Sequence, residues 1–494
     1  MQSNSTTSPQ VASRPGADLK PDRPSRVYGC WLGKSIGGTL GLPAEGKMER
    51  LHFTFYDPVP TMAPPNDDLE LQLVWLHLVE QAGSSLTRGD FAQAWLRHIH
   101  YMWDEYGRCR WNLRRGVPVE CNGTFENPFG DSMGSPIRSE IWACLFPGDP
   151  GSAAHYAALD ASLDHGIEGI AGEVFFSVLQ SLVANGTAVE QAIEDALAYL
   201  PGNSQCARAI ERARSGFKSN QEPWSCHQDL LAQHGSENFT YAPLNVALTV
   251  WALLYGGGDF EKSILLAVNG GYDTDCTAAT VGATIGLSVG REGIPARWIA
   301  PIGEGIFVGP GIRDIMAPRT LDELTRRTLD LEGRLRPVSW NPGLWTTKPP
   351  VVDGARLPGT ILLRPFNDGD PVGWANGELP DAVKQAGGAE WIWETISGES
   401  HELICLAREG ARLWIDGQLI IDCPAGLSYV PATHRCAREA RVKLTPVNGR
   451  HQMRLELNST ASDQQACVLL TYPDWHLCPW TTEELPHRAV LPAS

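Results

Sequence analysis

The stretch GGYDTDCTAATVGATIGLSVG, residues 270–290, sets Asp273 and Asp275 one residue apart ahead of a run of small and apolar residues. Glycines recur at 282, 286 and 290. Residues four apart share one face of a helix. The run therefore reads as a helix whose glycine stripe lets another helix approach closely. Two carboxylates at the mouth of so tight a contact need a purpose. The stripe is expected to bring a second acidic helix start beside the first.

That second start is NDDLE, residues 66–70, which opens DDLELQLVWLHLVEQAG. Leu69, Leu73 and Leu76 form one apolar stripe, and Leu71, Val74, Trp75 and Leu78 another. A helix apolar on most sides is buried on most sides, and Gly83 is the expected stop. A third acid, Glu45, ends GKSIGGTLGLPAE. Each acid alone also reads as an ordinary helix start, because Asp and Asn oxygens accept free backbone N–H groups there. Taken together they weigh differently. Converging carboxylates raise one another's pKa unless a cation sits between them. A hard divalent ion would make four or five such oxygens favourable.

The rest of the chain fits a large globular protein. Its 494 residues, 43% hydrophobic and 20% charged, allow two to four domains. A formal charge of -17 argues against duplex nucleic acid or an anionic membrane as partner. No continuous apolar run approaches the length of a membrane span. Residues 1–25 lack an apolar signal core and read as a disordered arm, which makes the cytoplasm the default location. The twelve cysteines form no CxxC pair and read as free thiols. Residues 26–335 read as helical. AVEQAIEDALAYLPG and LDELTRRTLDLEGRL are amphipathic helices, and LNVALTVWALLYGGGDFEKSILLAVNGG is two helices around a glycine turn. Residues 336–354, rich in Pro, Gly and Trp, read as a linker. Beyond it the period becomes two. Met453, Leu455 and Leu457 alternate with Arg454 and Glu456, and Asp416-Gly417 joins two alternating arms as a hairpin. Asn448-Gly449 marks another tight turn. Residues 355–485 are expected to form a separable all-β sandwich, followed by a tail at 486–494.

Several segments resemble, in order, those of the ADP-ribosylglycohydrolase family. GCWLGKSIGGTLGLPAEG is similar to its opening glycine-rich helix ending in Glu. NDDLELQLVWLHLVE resembles its Thr-Asp-Asp helix. GSPIRSEIWACLFPGDP and ASLDHGIEGIAGEVFFSVL resemble segments of long bacterial members, and the stretch through 270–290 resembles the closing Asp-x-Asp segment. The resemblance implies a mainly α, orthogonal all-α bundle with a binuclear Mg²⁺ site. It implies Asn66, Asp67, Asp68, Asp273, Asp275 and Cys276 as metal residues, with Glu45 or Asp67 as the proton-transfer group. Asn66 and Cys276 stand where better-studied members carry hydroxyl residues. Asn66 still offers a carbonyl oxygen, whereas a soft thiol suits Mg²⁺ poorly. One ion's shell is then weaker, completed by water, or suited to Mn²⁺, and Thr277 substitutes only if the helix start shifts. On the substrate side stand His165, Gly134, Arg138, Gly270 and Gly271, with Trp103, Trp111 and Phe129 as stacking candidates. For His165 and Arg138 a structural role stays open, as does simple packing for the three aromatics.

The implied reaction is hydrolysis of an ADP-ribosyl N- or O-glycosidic bond, on an ADP-ribosylated protein or a small ribofuranoside. Two other classes stay open: a glycosidase of the same fold acting on another furanoside or nucleoside-like sugar, and a non-catalytic scaffold. The five retained carboxylates argue against the last. GARLWIDGQLIID is similar to PA14-type sugar-binding sandwiches. A sugar-binding module, a structural lid and a dimer contact all remain readings of the β-domain.

Overall fold

The computed structural model describes residues 21–343, 350–396, 398–482 and 485. Nearly all of the expected arm, part of the linker and the tail lie outside them. The opening helix, Arg23–Gly41, starts three residues earlier than the expected boundary, capped by Asp22 accepting from the Ser25 N–H. The acidic helix spans Asp67–Gln81 and the closing helix Thr274–Val289. Between them run, among others, the gateway helix Asp104–Arg114, the core helix Ile167–Ala184, and the pair Ala242–Gly256 and Phe260–Asn269. That last pair turns through Gly257 and Gly258, both at positive φ, as the glycine run implies.

The glycine stripe finds a different partner from the one expected. It packs on the opening helix, which carries its own stripe at Gly29, Gly33, Gly37 and Gly41. A Cβ on Gly33 would lie 2.0 Å from the Gly282 carbonyl oxygen, and one on Gly286 2.0 Å from that of Gly29. Gly37 meets Ala278 and Gly41 meets Thr274. The register runs antiparallel, so the end of the opening helix lies beside the start of the closing one. The start of the acidic helix lies beside this pair, where Gly38 faces the Asn66 side chain and Lys34 reaches Asp68.

The core helix Ile167–Ala184 is long and apolar enough to cross a bilayer by composition, a point the sequence reading missed. Here it is mostly buried inside the helical body and carries Glu173 and Gln180 into polar contacts there.

The C-terminal part is two antiparallel sheets. The strands are β1 (Ile361–Pro365), β2 (Val372–Trp374), β3 (Gly377–Glu378), β4 (Gly388–Thr395), β5 (His401–Ala407), β6 (Ala411–Ile415), β7 (Gln418–Cys423), β8 (Arg441–Leu444), β9 (Gly449–Leu457) and β10 (Ala466–Thr471). One sheet has the order β2-β1-β4-β9-β6-β7 and the other β3-β10-β5-β8. Asp416 and Gly417, both at positive φ, close the β6–β7 hairpin as a turn of that sequence should. Met453, Leu455 and Leu457 point inward from β9. Asn448-Gly449 does not close a hairpin: β8 and β9 lie in different sheets, and the segment crosses between them.

The two parts interlock. Trp111 of the gateway helix is buried in the hydrophobic cluster of the sheets. Arg108 donates to the Asn376 carbonyl at 2.7 Å, and Arg115 to the Pro358 carbonyl and the Thr360 hydroxyl. The expected linker begins on the helical body, where the Arg336 and Val338 N–H groups donate to the Ser84 carbonyl and Ser152 hydroxyl. The expected separable sandwich thus shares a buried contact with the helical body.

Candidate active site

The site forms where three helix ends meet. The opening helix runs through a short 3₁₀ turn, Leu42–Ala44, into Glu45. Gly46 and Lys47 exchange backbone hydrogen bonds with Tyr272, both at 2.9 Å, and the Thr274 hydroxyl donates to the Gly41 carbonyl at 2.8 Å. These contacts fix Glu45 beside Asp273. Asn66, ahead of the acidic helix, donates its side-chain N–H to Asp275 Oδ2 at 3.1 Å.

None of the four aspartates acts as a helix cap. Asn66 caps the acidic helix, accepting from the Asp68 N–H at 2.7 Å. Asp273 occupies the cap position of the closing helix without a capping hydrogen bond. Backbone N–H groups at the helix starts favour the charged forms of Asp67 and Asp275, but burial outweighs them, so helix-start capping alone does not account for the cluster. Ligand atoms of Glu45, Asp273 and Asp275 lie within 4.8 Å of one another, and so do those of Asp68, Asp275 and Cys276. Both oxygens of Asp68 and Oδ1 of Asp275 are buried without a hydrogen-bond partner. Buried orphan carboxylate oxygens are costly unless a cation takes them, so the donor set fits a hard divalent ion.

Electrostatics agrees with the crowding. Burial, followed by the charge of Asp275, pushes Asp273 well up, and burial also raises Asp275. Burial raises Asp68 well above its usual range even though Lys34 pulls the other way. Asp67 is half-buried; desolvation and the charges of Asp275, Glu70 and Glu105 push it up to about 7. Glu45 keeps solvent access on the cavity side, but protein surrounds it elsewhere. That desolvation, with Asp275 and Asp67, raises it to about 8.

Asn66 uses its carbonyl oxygen as the helix cap and its N–H on Asp275, so in this structure it positions Asp275. Thr277 is buried, its hydroxyl donating to the Thr274 carbonyl at 3.3 Å. Cys276 does face the cluster, with its thiol pushed well up by burial and the neighbouring carboxylates.

The carboxylates open onto a cavity of about 730 Å³, in the range of small-molecule sites. Gly134 lines it; a Cβ there would strike Glu105 and Tyr106. The other substrate-side assignments fall elsewhere. His165 is fully buried behind the wall, its Nδ1 2.9 Å from Asp164 and its Nε2 accepting the Ser135 N–H at 3.2 Å. Arg138 is buried in ion pairs with Asp160 and Asp164 at 2.8–2.9 Å. Gly271 takes φ +75° so that the backbone can pass Glu49, and the Gly270 carbonyl accepts from His227. Trp103 lines the cavity, whereas Trp111 and Phe129 are buried away from it.

The sequence reading missed several residues. Lys34, fully buried, lies 3.1 Å from Glu140 Oε2 and 3.7 Å from Asp68 Oδ1. Burial pulls its pKa down, but Glu140 and Asp68 outweigh that and the net shift is upward. Glu70 accepts from the Tyr101 hydroxyl and the Gly309 N–H on the cavity wall. It lay within NDDLE, three residues after Asp67, on the same helix face. Glu105 lines the cavity with His165 Nε2 3.7 Å behind it. No signal in the sequence pointed to His434, Arg435, Trp475 and His476 of the β-domain, which also line it.

Residues 19–335 match the family model for ADP-ribosylglycohydrolase. An uncharacterized protein of Archaeoglobus fulgidus is 23% identical over 301 residues, 56% of this chain and 92% of that protein. A solved ADP-ribosylglycohydrolase-related protein complex is 21% identical, covering 63% of this chain and 97% of its own, with a TM-score of 0.42. A GH31 alpha-xylosidase from Xanthomonas citri is 22% identical across 17% of this chain and 9% of its own, with a TM-score of 0.14.

Proposed function

The chain belongs to the ADP-ribosylglycohydrolase family, and on that premise we propose that it hydrolyses the C1 glycosidic bond of an ADP-ribosyl or related ribofuranosyl substrate with divalent metal bound. The observation that carries the reading is the convergence of Glu45, Asp67, Asp273 and Asp275 on one open cavity, with Asp68 buried behind them in one ligand cluster with Asp275 and Cys276, and with Asp275 Oδ1 lacking a hydrogen bond. Asp68, Asp273 and Asp275 would hold Mg²⁺ or Mn²⁺, with Cys276 leaving one shell poorer in hard donors. A cation there supplies positive charge and Lewis acidity toward sugar hydroxyl oxygens.

The chain's own groups do the proton work. Glu45 is the exposed carboxyl of its cluster, so it can reach a substrate atom. A carboxyl whose pKa is raised toward neutrality can hold a proton for the leaving nitrogen or oxygen as the C1 bond breaks, then accept one from the attacking water. Asp67, raised to about 7, is the second group in that range. Work of this kind typically contributes ~10²–10⁴-fold. Asn66 keeps Asp275 turned toward the cluster, and Lys34 balances the charge of Asp68 and Glu140 from behind. The twelve buried free cysteines support a reducing compartment such as the cytoplasm.

The test is release of ADP-ribose from ADP-ribosylated protein, run beside hydrolysis of simple ribofuranosides. Release that stops with EDTA and falls at least ~10²-fold in Glu45→Gln is the expected result. Turnover indifferent to both perturbations would contradict the proposal.

A further inference from the structure

The cavity is not a property of the helical body alone. Tyr101 and Trp103 form an aromatic face beside the gateway helix, with ring centroids 4.5 Å apart. A tilted row of rings continues it across the domain boundary: His434 stands 6.5 Å from Trp103 at 57°, and Trp475 stands 5.5 Å from His434 at 46°. All four line the cavity. His434 precedes β8, and Trp475 follows β10.

This wall is held in place at some expense. Trp475 has φ +69°, a region bulky residues rarely adopt. Its turn is closed by the Trp475 N–H donating to the Tyr472 carbonyl and the Tyr472 N–H donating to the His476 carbonyl, both at 2.9 Å. Across the boundary Asp104 has φ +45° and forms an ion pair with Arg435. Arg435 also donates to Asn238 Oδ1 at 3.0 Å and lies over the Phe239 ring at 4.5 Å. Strained non-glycine backbone concentrates at ligand clamps, where the surroundings over-determine it. Here one such residue stands on each side of the boundary, at the same cavity. Trp111 and Arg108 lock the two parts together behind it, so the wall is preorganised.

We propose that the β-domain is the substrate-selecting part of the active site: His434 and Trp475 extend the Tyr101–Trp103 face to stack on a planar aromatic group joined to the ribofuranose. This rests on the furanoside-hydrolase reading above. Ring stacking is indifferent to edge chemistry and needs a π-face on the ligand, so the class selected is aryl and heteroaryl ribofuranosides over alkyl ones.

The test compares p-nitrophenyl and methyl ribofuranoside on the full chain with Mg²⁺. In Trp475→Ala and His434→Ala the aryl-to-methyl ratio of kcat/KM should fall on the order of 10-fold or more, carried by KM. Trp475→Phe keeps a ring and should retain most of the preference. Val447→Ala, exposed on the same domain, should leave the ratio as in wild type. A second arm reads binding alone: quenching of tryptophan fluorescence by p-nitrophenyl ribofuranoside in Glu45→Gln, with and without Trp475→Ala. If wild type cleaves neither glycoside, binding decides: a Kd weakened about 10-fold by Trp475→Ala supports the wall, and the hydrolase reading rests on release of ADP-ribose. Equal loss for both glycosides, no loss for either, or an unchanged Kd overturns the proposal.

Discussion

Replacing Gly33 by Ala should separate the two helices that build the site. The new Cβ would lie 2.0 Å from the Gly282 carbonyl oxygen and 2.5 Å from its carbon, where ordinary contact begins near 3.4 Å. Both obstructing atoms are backbone, so no side chain can turn away and the helices must part by about 1.4 Å. Alanine gains up to ~1 kcal/mol in helix propensity. Overpacking costs ~1–3 kcal/mol and more where backbone is struck, so the net loss should reach ~2 kcal/mol or more. At ~1–1.5 °C per kcal/mol for a unit of this size the melting temperature should drop by at least ~2 °C. Glu45 rides on the opening helix and Asp273 and Asp275 on the closing one, and misplacement by ~1 Å can reduce turnover ~10²-fold. Gly38→Ala is the control, since its Cβ would find nothing nearer than 3.7 Å. It should melt at or above the wild-type temperature. Circular dichroism melts and glycoside hydrolysis read both effects. A Gly33→Ala protein that melts like wild type, or a Gly38→Ala protein that falls as far, would refute the helix-contact argument.

Other outcomes follow from the buried charges and the domain contact. Desolvation and neighbouring carboxylates push Glu45 up to about 8 and Asp67 up to about 7, from ordinary values of 4.5 and 3.8. The folded state therefore binds more protons, and metal-free protein should lose stability as pH rises from about 4 to about 8. Urea midpoints in EDTA across that window check the sign, and a midpoint that climbs would contradict it. Lys34→Met removes the cation between Glu140 and Asp68 and should destabilise by ~3–5 kcal/mol, read from the same midpoints; an unchanged midpoint would contradict the ion-pair account. A chain ending at residue 340 uncovers Trp111 and removes the Asn376, Pro358 and Thr360 acceptors of Arg108 and Arg115. It should melt below the full chain, and an equal melting temperature would show that the contact contributes nothing.

What the sequence made legible was what local chemistry encodes. Four-residue glycine spacing announced a close helix contact, Asp416-Gly417 announced a hairpin, and strict alternation at 453–457 announced β9. The acids at helix starts were visible because their residue types and order are unusual for a buried segment. The stripe's partner was not, because a glycine face states how near a neighbour comes and not which one. Asn66 looked like a ligand because its amide can serve either end, and only the fold shows both ends occupied. Arg138 and His165 have the chemistry of a binding pair, yet Asp160 and Asp164 bury them. Lys34 sits mid-helix with nothing nearby in sequence to mark Glu140 as its partner. The β-domain wall was least legible: His434 and Trp475 lie in irregular segments more than 300 residues from Trp103, and only tertiary placement makes them neighbours.

The most direct test of the central claim is a set of thermal melts of wild type and Asp275→Asn, each in Mg²⁺ and in EDTA. Asp275 belongs to both ligand clusters, and its Oδ1 lacks a hydrogen-bond partner. At a metal concentration ~100 times Kd, wild type should gain ~2.7 kcal/mol, a rise of several degrees. Asp275→Asn should lose that gain and its hydrolytic activity. In EDTA it should melt no lower than wild type, because one of several crowded carboxylates has gone. Wild type melting at the same temperature with and without metal, together with an Asp275→Asn protein that keeps full activity, would contradict the account.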